Sequence, residues 1–397
     1  MQTSLGHASR SGRLFVKQVQ TRGVLILALA SGACADASSE VESTSAPNAG
    51  GLLPLEAALD AIIVQGAPGV VALSRAGDDV VSRARGVRDI DTGEPLGVDD
   101  RFRVGSNSKP FVATVVLQLV GEGRLGLDDS VERWLPGVLP RGADIGVRQL
   151  LNHTSGIAHN AHDPELLAPY LSGELEHRWS PAELVAFSAD EPLAFDPGTG
   201  HLYSNTNYHV LGLIVEAVTG EEPLSEVERR IIMPLALGAT DWPASDPQIN
   251  GRHSRGYHFS PDFGGKLDMT VFSPSWAWTA GGLISTADDL ARFNDALFGG
   301  ELLAPELMRE LLISVDTDEG GYALGVQTWD TPCGPAWGHE GDFPGYHSIV
   351  MTALDGQRQA VVLINSDDAI GIGLADPQLG PAAFAAYCRD CGSSTCW

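Results

Sequence analysis

Lysine is almost missing from this chain. Only Lys17, Lys109 and Lys266 occur among 25 basic side chains, against 51 acidic ones in 397 residues. The net charge of −26 repels phosphate backbones, which argues against a nucleic-acid partner. Long apolar runs are missing too. "VLILALA" (24–30) and "FVATVVLQLVG" (111–121) fall short of the ~20 residues a membrane-spanning helix needs. There is no H-E-x-x-H, so the paired histidines of "HNAHD" (159–163) do not make a zinc-hydrolase motif. There is no G-x-S-x-G, which excludes the nucleophile elbow of an α/β-hydrolase. No repeat of 20–50 residues is present, so a solenoid or propeller is not indicated.

Cysteine is scarce and unevenly placed: Cys34, Cys333, Cys388, Cys391 and Cys396. The first 35 residues read as an export signal, with Arg10, Arg13, Lys17 and Arg22 ahead of the apolar run and small residues after it. Two processing readings stand. One is cleavage after Ala35 or Ala37. The other is lipidation of Cys34, which resembles a bacterial lipoprotein signal although Ser31 departs from it. Either leaves four cysteines, an even number that suits disulfides in an oxidising compartment. One bridge is expected to tie the tail to Cys333. A zinc or redox C-x-x-C role is the weaker alternative, without a nearby histidine or the fold context. Residues 36–51 are small and polar and read as a flexible tether.

Between the ends the pattern changes twice. "LEAALDAIIVQ" (55–65) has helical spacing, and 69–77 and 79–87 read as strands around a Gly-Asp turn. The stretch 111–123 is apolar on every side and predicts a buried helix. Helices are expected over 208–220, with a glycine stop, and over 285–300, with Thr286 and Asp289 in capping-box spacing. Strands return in "YALGVQTW" (322–329), "YHSIVMTA" (346–353) and "RQAVVLIN" (358–365), and 377–388 reads as a closing helix. Strands at both ends around a helical middle imply one sheet completed by the two termini.

The scarcity of lysine directs attention to "GSNSKP" (105–110). Ser106 and Lys109 are three apart, so a helical turn brings them to one face. Pro110 lacks an N–H and fits only the first turn of a helix, which places Ser106 at or just before the helix start. A serine hydroxyl needs a neighbour to take its proton. A buried lysine can lose its charge and do so, whereas arginine stays protonated. "YSN" (203–205) offers a phenol and an amide. A cation beside Tyr203 is expected to lower its pKa and make its phenolate a base. Asn205 can hold a substrate amide or merely cap a helix. "WGHEGDFPGY" (337–346) places His339 and Gly341 on a glycine-flanked edge where a substrate backbone can approach. The N–H groups of Ser106 and Asp342 would then form an oxyanion hole. Trp276 and Trp278 suit either a cleft wall or the core.

Ser-x-x-Lys, Tyr-x-Asn and His-x-Gly in this order resemble the serine β-lactamase and penicillin-binding-protein superfamily. The branch is that of class C β-lactamases, D-alanyl-D-alanine carboxypeptidases and β-lactamase-like esterases. "VRQLLNHTSGI" (147–157) and "WTAGGLISTADDLARF" (278–293) resemble family segments, and the likeness covers about 55–370. It implies an α+β, β-lactamase/transpeptidase-like fold: an antiparallel sheet flanked by helices, plus an all-helical subdomain. It implies Ser106 as nucleophile, Lys109 as its activating partner and Tyr203 as base and later acid. Asn205, His339 and Gly341 would bind substrate. His339 replaces the lysine of a K-T-G triad, a change similar to that in carboxypeptidase and esterase members. Glu340 and Asp342 are expected to add negative charge around the triad and to disfavour a substrate carboxylate.

The domains implied are an export signal (1–35), a tether (36–51), a serine-hydrolase domain (52–375) and a C-terminal helix with a cysteine-rich tail (376–397). The expected protein is an exported, monomeric serine hydrolase of the bacterial envelope, or secreted, without a cofactor or metal. It acts on a small-molecule or peptide ester or amide: a D-Ala-D-Ala-type peptide, a β-lactam or a carboxylic ester. Its membrane contact is confined to the N-terminal lipid. The alternative is a catalytically silent scaffold that kept the fold.

Overall fold

The first and last strands of the domain lie side by side. In a computed structural model, residues 54–189, 191–260, 265–317, 320–367 and 379–389 are described. The export segment, the tether, Cys34, Cys391 and Cys396 lie outside them. Nine strands form one sheet: β1 (Gly69–Ala76), β2 (Asp79–Asp89), β3 (Glu94–Pro95), β4 (Val315–Thr317), β5 (Gly320–Tyr322), β6 (Gln327–Thr331), β7 (Gly334–Phe343), β8 (Tyr346–Thr352) and β9 (Arg358–Ile364). Their order is β3-β2-β1-β9-β8-β7-β6-β5-β4, and every neighbouring pair is antiparallel. β1 meets β9 from Val70↔Ile364 to Ala76↔Arg358. The two ends of the chain therefore complete one sheet, as expected.

Both faces of the sheet are covered. Side chains alternate across a strand, so Val70, Ala72, Val362 and Ile364 pack against the helices Leu55–Val64 and Leu379–Tyr387. Val71, Leu73, Val361 and Leu363 join the larger core with the helical middle of the chain. This explains the apolar runs 349–351 of β8 and 360–364 of β9, which a sheet with one wet face would not carry. The helix Lys109–Gly121 is buried from Lys109 through Leu117, the all-round burial that its composition predicts. Helix Asn205–Thr219 ends on left-handed Gly220. Helix Ala287–Phe298 has Thr286 as its N-cap. Only half of its capping box forms, because the Asp289 carboxylate instead accepts from the Ala239 N–H and the Thr240 hydroxyl.

Two expectations need correction. The stretch 322–329 is not one strand. It folds into a hairpin between Tyr322 and Gln327, which are paired in register. Gly325, at φ 86°, makes the tight turn. The second concerns β7, which is interior, with β6 on one side and β8 on the other, and not an edge. Its four polar or glycine residues from Gly338 to Gly341 hid a ten-residue strand. The tail is tied to the sheet by a disulfide between Cys333, in the β6–β7 turn, and Cys388, with a Cα–Cα distance of 5.7 Å. Among the described residues no helix is long and apolar enough to cross a membrane.

Candidate active site

Ser106 lies in a 3-10 turn, Gly105–Ser108, that runs directly into helix Lys109–Gly121. Pro110 occupies the helix's first turn, where its missing N–H costs nothing. The turn is fastened from below. The Ser108 hydroxyl donates to the Gly105 carbonyl at 2.7 Å and accepts from the Leu283 N–H at 3.0 Å.

Lys109 is fully buried, and its Nζ has three neighbours. Ser106 Oγ is at 2.8 Å, Asn205 Oδ1 at 2.9 Å and the Ala280 carbonyl at 2.8 Å. Two of these can only accept. A neutral amine satisfies all three, giving an N–H to each carbonyl oxygen and turning its lone pair to the Ser106 O–H. Burial favours that form: desolvation holds Lys109 well below its ordinary pKa, with the charge of Asp342 opposing.

The Tyr203 hydroxyl donates to Ser106 Oγ at 2.8 Å. Its pKa is not lowered, contrary to expectation. Desolvation pushes it well above the usual value, and the hydrogen bond with Ser106 offsets only part of this. Lys109 Nζ lies 4.7 Å from the centre of the Tyr203 ring, above its face, and is not hydrogen-bonded to the phenol oxygen. Burial also lowers the pKa of the amine, which weakens it as a cation beside the ring. Tyr203 keeps some exposed surface, but the rings of His153 at 4.3 Å, Tyr322 at 6.0 Å and His339 at 6.2 Å enclose it. The resting phenol carries its proton.

β7 closes the third side. A Cβ on Gly341 would lie 2.1 Å from the Val104 carbonyl oxygen and 2.9 Å from the Ser106 nitrogen. One on Gly105, whose φ is 49°, would lie 2.6 Å from the Asp342 nitrogen. Glycine at both positions lets strand and turn touch, and it brings the backbone nitrogens of Ser106 and Asp342 to one contact. Ser348, opposite Gly341, locks the pair by donating to the Val104 carbonyl at 2.9 Å while accepting from Asn107 Nδ2 at 2.9 Å.

His339 is buried on the same face of β7 as Gly341. Its Nδ1 donates to the Glu340 carbonyl, and its Nε2 accepts from the Tyr322 hydroxyl at 2.9 Å. Desolvation lowers its pKa to about 3. His339 therefore brings no positive charge to the place where a lysine would. The carboxylates of Glu340 and Asp342 alternate onto the opposite face of β7, in register with Ile349 and His347. Asp342 pairs there with His347 Nδ1 at 3.1 Å. They bias the site through its field and do not line the triad as expected.

The sequence-derived residues Ser106, Lys109, Tyr203, Asn205, His339, Gly341 and Asp342 thus converge. Other neighbours of the site carry little sequence signal. Tyr322 lies in the stretch that reads as one strand, and Asn107 and Ser348 look like ordinary polar residues. His153 carries only the left-handed turn available in "NHTSG". Trp278 belongs to the core at 8% exposure, while Trp276 is half-buried against Phe272 and Phe343.

Comparison with known proteins gives a consistent picture. Residues 55–380 match the family model described as Beta-lactamase. Esterase EstB of Burkholderia gladioli is 30% identical over 75% of this chain and 80% of its own length. The crystal structure of a D-stereospecific amidohydrolase from Streptomyces sp. superposes with a TM-score of 0.74 at 38% identity, covering 79% of this chain and 94% of that one. A D-amino acid amidase from Ochrobactrum anthropi SV3 superposes with a TM-score of 0.75 at 26% identity, over 83% and 96% of the two chains. With the match spanning the whole sheet and the turn, tyrosine loop and strand around Ser106, the chain belongs to the Beta-lactamase family.

Proposed function

We propose that this protein is an exported serine hydrolase that forms an acyl-enzyme at Ser106. The observation that carries the reading is the double engagement of Ser106 Oγ, at 2.8 Å from both Lys109 Nζ and the Tyr203 hydroxyl. Lys109, neutral at rest, takes the Ser106 proton as Oγ attacks the substrate carbonyl. The N–H groups of Ser106 and Asp342 stabilise the oxyanion. Tyr203 donates its proton to the leaving nitrogen or oxygen. Its phenolate then takes a proton from the attacking water, while Lys109 returns its proton to Ser106 Oγ and the acid is released. Asn205, with its Oδ1 on Lys109, has Nδ2 to hold the acyl-side amide.

The substrate favoured is an amide or ester of a D-amino acid with a free amino group. Among the described residues hydrogen-bonded to this triad, Lys109 is the one basic side chain, and burial keeps it neutral. A substrate carboxylate, as in a D-Ala-D-Ala peptide or a β-lactam, meets no other cation among the described residues hydrogen-bonded to Ser106, Lys109 and Tyr203, whereas an ammonium is favoured by the field of Glu340 and Asp342. The names of the Streptomyces and Ochrobactrum relatives agree with this choice. The Cys333–Cys388 disulfide supports export, since such bonds persist in oxidising compartments.

The test is hydrolysis of D-phenylalanine amide, its L-enantiomer, an N-acylated D-Ala-D-Ala peptide and a chromogenic cephalosporin by wild type and Ser106→Ala. Turnover of the free D-amide, lost in the variant, is expected. Preference for the carboxylate-bearing substrates would overturn the substrate class. Folded protein inert towards every ester, amide and acylating probe would favour the silent scaffold.

A further inference from the structure

Tyr203 is held from behind by a single residue. His153 is fully buried beneath it, and its backbone sits at φ 59°, a left-handed conformation uncommon outside glycine and asparagine. That turn lets one residue grip the chain on both sides of Tyr203. The His153 carbonyl accepts from the Leu202 N–H at 3.0 Å. Its ring Nδ1 accepts from the Ser204 N–H at 3.2 Å. The ring itself lies 4.3 Å from that of Tyr203 and 4.6 Å from that of Tyr322, the partner of His339.

The tautomer follows from these contacts. Asn207 Oδ1 accepts from the Ser155 hydroxyl at 2.7 Å, so Asn207 Nδ2 is the donor facing His153 Nδ1 at 2.9 Å. Nδ1 then faces two donors and must be unprotonated, which puts the ring proton on Nε2. A protonated imidazole would set N–H against N–H at the point where Tyr203 is anchored. A second histidine repeats the device one residue on, since His159 Nδ1 accepts from the Asn205 N–H at 3.1 Å.

We propose that His153 is a positioning residue for the reaction: a neutral Nε2–H imidazole that fixes the backbone on both sides of Tyr203 and so sets its hydroxyl on Ser106. The inference rests on the proposed function of Ser106 and Tyr203, and it assigns the step to which His153 contributes, the delivery of the Tyr203 proton.

Two variants separate ring from acceptor. His153→Phe keeps an aromatic ring and loses the acceptor, leaving two buried donors unpaired. His153→Asn loses the ring but puts Oδ1 near the place of Nδ1, and asparagine tolerates the left-handed backbone. We expect kcat of folded His153→Phe to fall about a hundredfold, the cost of an ångström-scale misplacement. KM should stay within about threefold and the pH profile should shift, while His153→Asn recovers most of the loss. Wild-type kcat and pH profile in His153→Phe would overturn the proposal, because a purely structural role lowers the melting temperature and leaves both unchanged. Nitrogen NMR of histidine-labelled wild type decides the matter if the variant does not fold. An unprotonated Nδ1 that does not titrate between about pH 5 and pH 8 is expected, and a protonated Nδ1 there overturns the inference. Failure of the functional reading looks different: wild type would resist acylation at Ser106, whatever the state of His153.

Discussion

The hydroxyl of Tyr322 donates to Nε2 of His339 at 2.9 Å. With Nδ1 giving its proton to the Glu340 carbonyl, both nitrogens of this imidazole are committed and the ring is neutral. The position that would hold a lysine in a K-T-G triad is therefore apolar in charge, although it is hydrogen-bonded.

The acid limb of kcat/KM should accordingly survive in His339→Gln. An imidazole lowered to about 3 does not titrate in the working range. On the proposed mechanism the limb belongs to Lys109, which must be neutral to accept the Ser106 proton and is lost as a base when pH falls through its depressed pKa. pH–rate profiles of wild type and variant decide this, and disappearance of the limb in His339→Gln would return the titration to the histidine.

Stability should carry the signature of the same lysine. The folded state binds fewer protons at Lys109 than the unfolded chain does between the depressed folded pKa and the ordinary value of about 10.4. Stability therefore rises with pH across that window, by up to about 1.4 kcal/mol per pH unit, and is lost as pH falls. Lys109→Met should remove this slope and, with it, at least about a thousandfold of kcat. Urea unfolding at several values from about pH 7 to about pH 9 measures the slope.

Gly341→Ala should lower kcat by about 10²–10³, the cost of losing an oxyanion donor. The added carbon would meet the Val104 carbonyl at 2.1 Å and push β7 away from Ser106. Acylation by an activated ester should slow equally. An unimpaired enzyme would mean that the strand does not supply the donor.

Reduction of Cys333–Cys388 should destabilise the fold without silencing Ser106. The bridge spans 55 residues of sequence, and a loop of this size contributes about 4 kcal/mol by the chain-entropy account. The expected result is a lower melting temperature in reductant with labelling of Ser106 intact at 25 °C.

Much of this was legible in the sequence for identifiable reasons. Serine and lysine three apart before a proline describe a helix start, and the buried 109–121 helix announces itself by lacking a polar face. The two-ended sheet followed from where the β-branched runs lie. The strand bearing His339 was obscured by its glycines, of which Gly341 is there because Val104 and Ser106 approach so closely. The ionisation of Tyr203 and His339 could not be read either, since burial by residues distant in sequence sets both. His153 shows the same limit: its two grips on residues 202 and 204 span about fifty residues of chain.

Pairing between β1 and β9 has a bearing on how the enzyme comes to life. The two strands, third and fourth of the nine across the sheet, are separated by almost the entire domain, so the sheet carrying β7 and its Gly341–Asp342 contact cannot be completed until the last strands have emerged. A chain emerging from its N-terminus stays open for most of its synthesis. Ser106 and Lys109 are neighbours early, but the strand bearing Gly341 and Asp342 arrives near the end. Assembly of the site is thereby deferred to the last stage of folding, and the order of the strands disfavours a half-built chain that already holds the complete constellation.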